Sequence, residues 1–252
     1  MIGAHHSPRK LDVTTNLFPK RILAVGAHPD DIETTCAGTL AKYIKHGTEV
    51  SIAVVNDGSA GHMVIPPREL ADIRRAEAEK AANMIGADFH WLGLVDGMLY
   101  EDINTRLRFV ELIRKAKPDL IITHNPDDYH PDHKAVSRLL FDASFLSGLP
   151  NIKTESLFHP GVQPLYYFDT AGGVNFNPTE FVDITDTYEI KLAMLSCHES
   201  QLKWIKDHDN IDLLHIVETF SRARGYQCGV IFAEAFRSEP VFARSRPYRQ
   251  LP

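Results

Sequence analysis

Cysteine is scarce. Cys36, Cys197 and Cys228 are the only three in 252 residues, and none belongs to a CxxC pair. An odd number at such spacing excludes a disulfide framework and a cysteine-held zinc site, and it fits a reducing cytoplasm. Long apolar runs are also missing: no stretch approaches the roughly 18 consecutive apolar residues that suggest a membrane span. The first twenty residues lack the apolar h-region of a secretory signal and read as a loose leader, in which the adjacent His5 and His6 are set aside as incidental. Nor is there an excess of positive charge. Lys and Arg number 27 against 33 Asp and Glu, a formal charge of -6, so the chain as a whole is not drawn to phosphate backbones or anionic membranes. Nucleic acid and membrane insertion are therefore not expected, and a small-molecule substrate is. The arginines near the C-terminus, Arg237, Arg244, Arg246 and Arg249, read as part of a solvated tail.

What is present is a core-forming chain, 44% hydrophobic, with apolar runs alternating with helical periodicity. Strands are expected at 21–27, 49–56, 89–94, 119–124 and 165–168. Helices are expected at 34–46, 67–85, 104–116, 131–146, 184–205 and 213–224, with Gly86 as a helix cap. Strands that are apolar almost throughout, separated by amphipathic helices, imply a Rossmann-like, doubly wound α/β fold: a mostly parallel sheet with helices on both faces. The expected organisation is a leader over 1–20, one domain over 21–240 and a tail over 241–252. The Pro- and Gly-rich stretch 149–178 is where a substrate-shaping insertion would sit.

Ligands of open parallel sheets bind beyond the carboxyl ends of the strands, and two unusual polar clusters fall there. One is Ala27-His28-Pro29-Asp30-Asp31 after the first strand; the other runs from His124-Asn125-Pro126-Asp127-Asp128 through Tyr129-His130-Pro131-Asp132-His133 after the fourth. Carboxylates and imidazoles gathered so densely are costly to bury unpaired, and a cation gives them a reason to converge. A catalytic zinc needs about three nitrogen or carboxylate ligands and one open position; His28, Asp31 and His133 meet that count if the first and fourth strands are neighbours. Taken singly, each cluster has a simpler reading, since Asp30, Asp31 or Asp132 could cap the helix that follows.

Together the two clusters resemble the paired AHPDD and HPDH motifs of the LmbE-like, or PIG-L, family of zinc-dependent N-deacetylases. The resemblance runs from about Arg21 to Arg237 and takes in the Ile73 to Glu79 helix followed by Gly86, Leu94 to Gly97, Val182 to Ile184 with Lys191, His198 to Gln201, and Ala233 to Phe236. It implies one Zn2+ on His28, Asp31 and His133, Asp30 as general base, His130 as the acid, and Asp132 as the carboxylate that orients His130. The implied reaction removes the N-acetyl group of a small N-acetylglucosamine-type conjugate, releasing acetate and a free amine. The resemblance does not choose the rest of the substrate.

Away from the metal the readings stay open. Arg74 either grips a substrate hydroxyl or carboxylate or is a surface helix arginine paired with Glu77 or Glu79. Asp96, before Gly97, either binds substrate hydroxyls or makes a turn. His124 faces the layer behind the metal, and an oxyanion donor is sought among residues 222–226. Competing functions are a metal-dependent phosphoesterase and a non-catalytic carbohydrate-binding relative. A dinucleotide site is excluded because Gly26 is followed by Ala27, His28 and Pro29 rather than G-x-G-x-x-G. Homo-oligomerisation is left open.

Overall fold

A computed structural model describes residues 18–252; most of the expected leader, with His5 and His6, lies outside the described residues. Strands β1 (Arg21–Gly26), β2 (Glu49–Asn56), β3 (Asp88–Leu94) and β4 (Leu120–Thr123) alternate with helices α1 (Asp31–Thr35), α2 (Ala37–Lys45), α3 (Pro67–Met84) and α4 (Ile103–Ala116). Helix α5 (Pro131–Leu146) leads to β5 (Leu165–Phe168) and then β6 (Glu180–Asp183). Helices α6 (Tyr188–Leu195), α7 (Glu199–Asp209) and α8 (Leu213–Cys228) precede the last strand, β7 (Ala233–Ser238).

The seven strands lie in the order β3-β2-β1-β4-β5-β7-β6. β1 pairs in parallel with both β2 and β4, and β5 continues in parallel beside β4. β7 runs antiparallel to β5 and β6, so the sheet is the mostly parallel α/β sheet expected. Because β1 and β4 are neighbours with helices leaving to opposite sides, the crevice of this fold opens between their carboxyl ends. That is where the two motifs emerge. β1 and β4 are fully covered: Leu23, Ala24, Val25, Leu120, Ile121 and Ile122 have no exposed surface, which fits strands packed on both faces. Leu23 and Val25 pack toward α4 and α5, Ile22 and Ala24 toward α2 and α6.

Several sequence expectations need correcting. The helix expected over 34–46 breaks at Cys36 into α1 and α2, and that expected over 184–205 breaks at 196–198 into α6 and α7. β6 and β7 were not foreseen as strands. β6 has only four residues, and β7 carries Glu234 and Arg237, so a periodicity argument finds little apolar signal there. The C-terminal stretch is no solvated tail. Leu251 sits in the core, the Tyr43 hydroxyl donates to the Gln250 carbonyl, and buried Arg244 donates to Phe141 O and Ser144 Oγ. Arg237 lies in β7 and donates to Asn125 Oδ1 at 2.8 Å, pinning the second motif's loop. Most of the 149–178 stretch is also displaced from the crevice: Arg114 holds it through the carbonyls of Ser147, Leu149 and Ile152 at the far end of α5. Only its part after β5 returns to the site.

One buried ion pair binds the layers together. Lys191 of α6 donates to Glu234 Oε1 of β7 at 2.6 Å and to the Thr34 carbonyl at 3.0 Å. Glu234 accepts from the backbone N–H groups of Gly38 and Thr39 in the first turn of α2, a favourable end of a helix for an anion. Both side chains are almost wholly buried. Lys191→Met should therefore leave an uncompensated carboxylate and lose about 3–5 kcal/mol of stability. In urea unfolding, Lys191→Met/Glu234→Gln should be more stable than Lys191→Met alone, and a double variant that loses the sum of both single losses would show the pair to be independent.

Candidate metal centre

The first motif turns tightly. Asp31 Oδ2 accepts the His28 backbone N–H at 2.6 Å, and Asp30 takes φ 107°, ψ -18° as the residue before α1. A positive φ in a non-glycine residue costs about 1–3 kcal/mol and is concentrated at functional sites. Here it keeps the Asp30 carboxylate from capping α1, since no side-chain cap bond forms. In the second motif His130 sits at the start of α5, with Pro131 as the first helical residue.

The three expected ligands converge. His133 Nε2 lies 3.3 Å from His28 Nδ1, Asp31 Oδ2 lies 3.6 Å from His28 Nδ1, and Asp31 Oδ1 lies 3.5 Å from His133 Nε2. Bonds of about 2.0–2.1 Å in a tetrahedron place ligand atoms roughly 3.3–3.4 Å apart; the two nitrogens match that spacing, and Asp31 approaches each of them through a different oxygen. The far nitrogens fit as well. His133 Nδ1 meets Asp128 Oδ1 at 3.0 Å, while His28 Nε2 meets Asp96 Oδ1 at 3.1 Å and Asp132 Oδ2 at 3.2 Å. Ligating imidazoles commonly donate their remaining N–H to a carboxylate in this way.

Besides His28 with His130 and His133, a set that takes in two of the expected ligands, two donor sets among the described residues reach metal-like spacing, His28 with Asp96 and Asp132, and Asp31 with His124 and His133. The first is spent on hydrogen bonds, because Asp132 Oδ2 also accepts from Asn56 Nδ2 at 2.7 Å and Gly97 N at 2.9 Å. In the second, His124 Nε2 already accepts the Ala27 N–H at 2.9 Å, so its lone pair is committed. That nitrogen therefore has no proton for Asp31 Oδ2, 3.1 Å away, and two acceptors face each other across a site short of positive charge.

The ionisation of the group says the same. Burial acts to lower the His28 pKa, yet Asp132, Asp31 and Asp96 outweigh it and hold the imidazole up to about 12. Burial likewise opposes the charge on His133, but Asp31 and Asp128 raise it. Burial pushes Asp30 up to about 6, with Arg74 acting against the rise. His124, fully enclosed, is pushed down to about 4 by burial and by His133. The carboxylates around His28 thus favour positive charge at this point, as they would favour a cation.

The remaining assignments change. Asp132 does not orient His130: its carboxylate faces His28, and only its backbone N–H reaches His130, donating to Nδ1 at 3.2 Å. His130 therefore has its Nδ1 lone pair occupied, presents its proton on Nε2, and is held below its ordinary pKa by burial and by His28. Arg74 is neither on the surface nor paired with Glu77. It is buried, donating to Pro29 O at 2.6 Å and Gly58 O at 3.2 Å and lying 3.4 Å from Asp30 Oδ2, while Glu77 accepts from Ser200. Asp96 clasps His28 and accepts from Ala60 N rather than only shaping a turn. Of residues 222–226, Arg224 turns inward onto Asp169 at 2.5 Å, whereas Tyr226 is 90% exposed. Asp128, with no role foreseen, is the carboxylate behind His133; its place five residues earlier in the same motif was the available signal. Tyr129 stands edge-on to His130 and His133 at the rim.

Residues 23–144 match the family described as GlcNAc-PI de-N-acetylase, PIG-L. Diacetylchitobiose deacetylase of Thermococcus kodakarensis is 31% identical over 237 residues, covering 91% of this chain and 87% of the relative. The chain belongs to the PIG-L family. Among solved structures, N,N'-diacetylchitobiose deacetylase from Pyrococcus horikoshii superposes with a TM-score of 0.78 at 28% identity, covering 88% of this chain and 84% of that one. The chain is also similar to a 4-oxalmesaconate hydratase of Pseudomonas putida, 24% identical over 80% of this chain and 81% of the relative.

The contact between Asp132 and His28 is testable apart from any activity. Asp132→Asn should weaken divalent-metal binding by about 10–100-fold, as loss of a carboxylate behind a ligating histidine does, read by chelator competition. Unchanged affinity would return Asp132 to His130.

Proposed function

We propose that the protein is a zinc-dependent amidohydrolase that removes the N-acetyl group from a small N-acetylglucosamine-type conjugate, releasing acetate and a free amine. The observation that carries the reading is the strained, uncapped carboxylate of Asp30 beside the donor set His28, Asp31 and His133, in a chain 31% identical to a diacetylchitobiose deacetylase. Mixed imidazole and carboxylate donors in this number suit zinc, one ion per chain. When bound, it would supply a Lewis acid and lower the pKa of water.

The chain's own residues then divide the work. Asp30 takes a proton from the attacking water, and its raised pKa suits it both to accept that proton and to pass it to the leaving nitrogen. His130 supports the carbonyl oxygen as negative charge develops there, donating from Nε2. This departs from an imidazolium acid, because protonating Nδ1 would set it against the Asp132 N–H. Asp96, Asp128 and Asp132 fix the two ligating rings. Arg74 positions and charge-balances Asp30 and does not hold the sugar. A phosphoesterase is disfavoured by the carboxylates of Asp30, Asp31, Asp96, Asp128 and Asp132 around one crevice, which repel a phosphate. No described helix is long and apolar enough to cross a membrane, and all three cysteines are free, which supports a cytoplasmic setting.

The hydratase relative favours a second reading, in which water is added to substrate without cleavage. One assay separates them: with N-acetylglucosamine conjugates, hydrolysis yields acetate and titratable amine one for one, and a hydratase yields neither. The pH profile tests the role of Asp30. A base must be ionised, so kcat/KM should fall as pH drops through about 6 or below, because the bound cation draws the carboxyl downward from about 6. Arg74→Gln removes a charge that lowers Asp30 and should move this limb to higher pH, whereas Arg74→Lys should leave it in place. A limb unmoved by Arg74→Gln would separate Arg74 from the base.

A further inference from the structure

Beside the metal centre lies a cavity of about 230 Å³ that Asp30, Asp31 and His133 close at one end and α7 and α8 close at the other. Its far wall is aliphatic and aromatic: Ile205, Leu213, Ile216, Val217 and Phe220. Many of the polar side chains around it are already engaged, although Asp169 Oδ1 has no partner. Thr34 and Thr35 donate their hydroxyls to Asp31 O, and Thr170 donates to Val174 O. Lys191 is spent on Glu234 and Thr34 O, and Arg224 donates to Asp169 and Gln227. Outside the Ser221 and Tyr129 hydroxyls and Asp169 Oδ1, a sugar ring placed here would find few partners to replace the hydration it loses, which is unfavourable.

The amide to be cut has two sides, and its carbonyl carbon must sit by Asp30 and the ligand set. His28 and His130 do not line this cavity; His28 meets Asp96 of the loop after β3, which with Asp57 of the loop after β2 builds a polar face tied by backbone hydrogen bonds. The hydroxyl-rich amine half suits that face, and the cavity with its apolar far wall is left for the acyl half. A methyl group leaves most of it unfilled: about 230 Å³ is the volume of roughly eight waters at ~30 Å³ each.

Resting on the amidohydrolase reading above, we propose that this site accepts N-acyl groups longer than acetyl, with chains of up to about six carbons lying against Ile216, Val217 and Phe220. The reaction is the same hydrolysis. The C–N bond breaks, the water oxygen joins the acyl carbon, and the products are a fatty carboxylate and a protonated amine.

The test uses the zinc-replete full chain with N-acetyl-, N-butanoyl- and N-hexanoylglucosamine, and in a second arm the methyl and hexyl glycosides of N-acetylglucosamine, following free amine. The expected result is kcat/KM rising along the acyl series, about threefold to fourfold for each methylene buried. Ile216→Ser and Phe220→Ser should each pull the hexanoyl-to-acetyl ratio back toward one, and either variant suffices should the other not fold. Acetyl cleavage with a flat or falling acyl series overturns this proposal and leaves the amidohydrolase reading standing. A gain confined to the hexyl glycoside also overturns it, placing the amine side of the substrate in the cavity. No amine from any compound overturns both.

Discussion

A metal-ligating imidazole is neutral and carries one N–H, and in His28 that proton would fall on Nε2, between Asp96 Oδ1 at 3.1 Å and Asp132 Oδ2 at 3.2 Å. The Nδ1 lone pair is thereby turned toward Asp31 and His133. Much else depends on this clamp. Asp132 can serve it because Asn56, at the end of β2, and the Gly97 N–H, after β3, saturate the rest of its oxygen. Three strand ends and the first turn of α5 are thus tied to one ring. His133 is held the same way by Asp128, and both imidazoles face a common point without room to rotate, which is the preorganisation a metal centre requires.

The arrangement has a cost that the fold carries elsewhere. Asp30 is strained, and the carboxylates crowd each other at the edge of the core. Opposing this are covered parallel strands, the Lys191–Glu234 pair that fastens α1 and α2 to β7, and the Arg237–Asn125 contact that fixes the second loop. Residues far from the reacting atoms therefore hold the distances at the centre. The apolar wall of α8 stands against this polar end, giving one crevice two chemical characters.

The alternation of apolar runs and helical periods made the parallel half of the sheet legible, with β2 and β5 bounded as the sequence implied, and the adjacency of β1 and β4 followed from a sheet that reverses order. The antiparallel edge was not legible, because β7 owes its place to pairing with β5 and β6 and to a buried glutamate rather than to alternation. At the site, residue type and spacing brought His28, Asp31 and His133 forward. They did not tell which imidazole a given carboxylate would face: Asp132 is two residues from His130 but meets His28 across the crevice, and Arg74 is buried although its helix is mostly polar. Such choices are tertiary, set by how β2, β3 and α5 bring Asn56, Gly97 and Asp132 together.

The central claim is a division of labour between two adjacent aspartates, one holding the cation and one handling the proton. Metal content and acetate release measured side by side on Asp30→Asn and Asp31→Asn test it most directly. The account predicts that Asp30→Asn keeps its zinc while kcat falls by about 10²–10⁴, and that Asp31→Asn loses metal affinity and recovers part of its activity when zinc is added. Loss of zinc from Asp30→Asn with rescue by added metal, and full retention by Asp31→Asn, would contradict it.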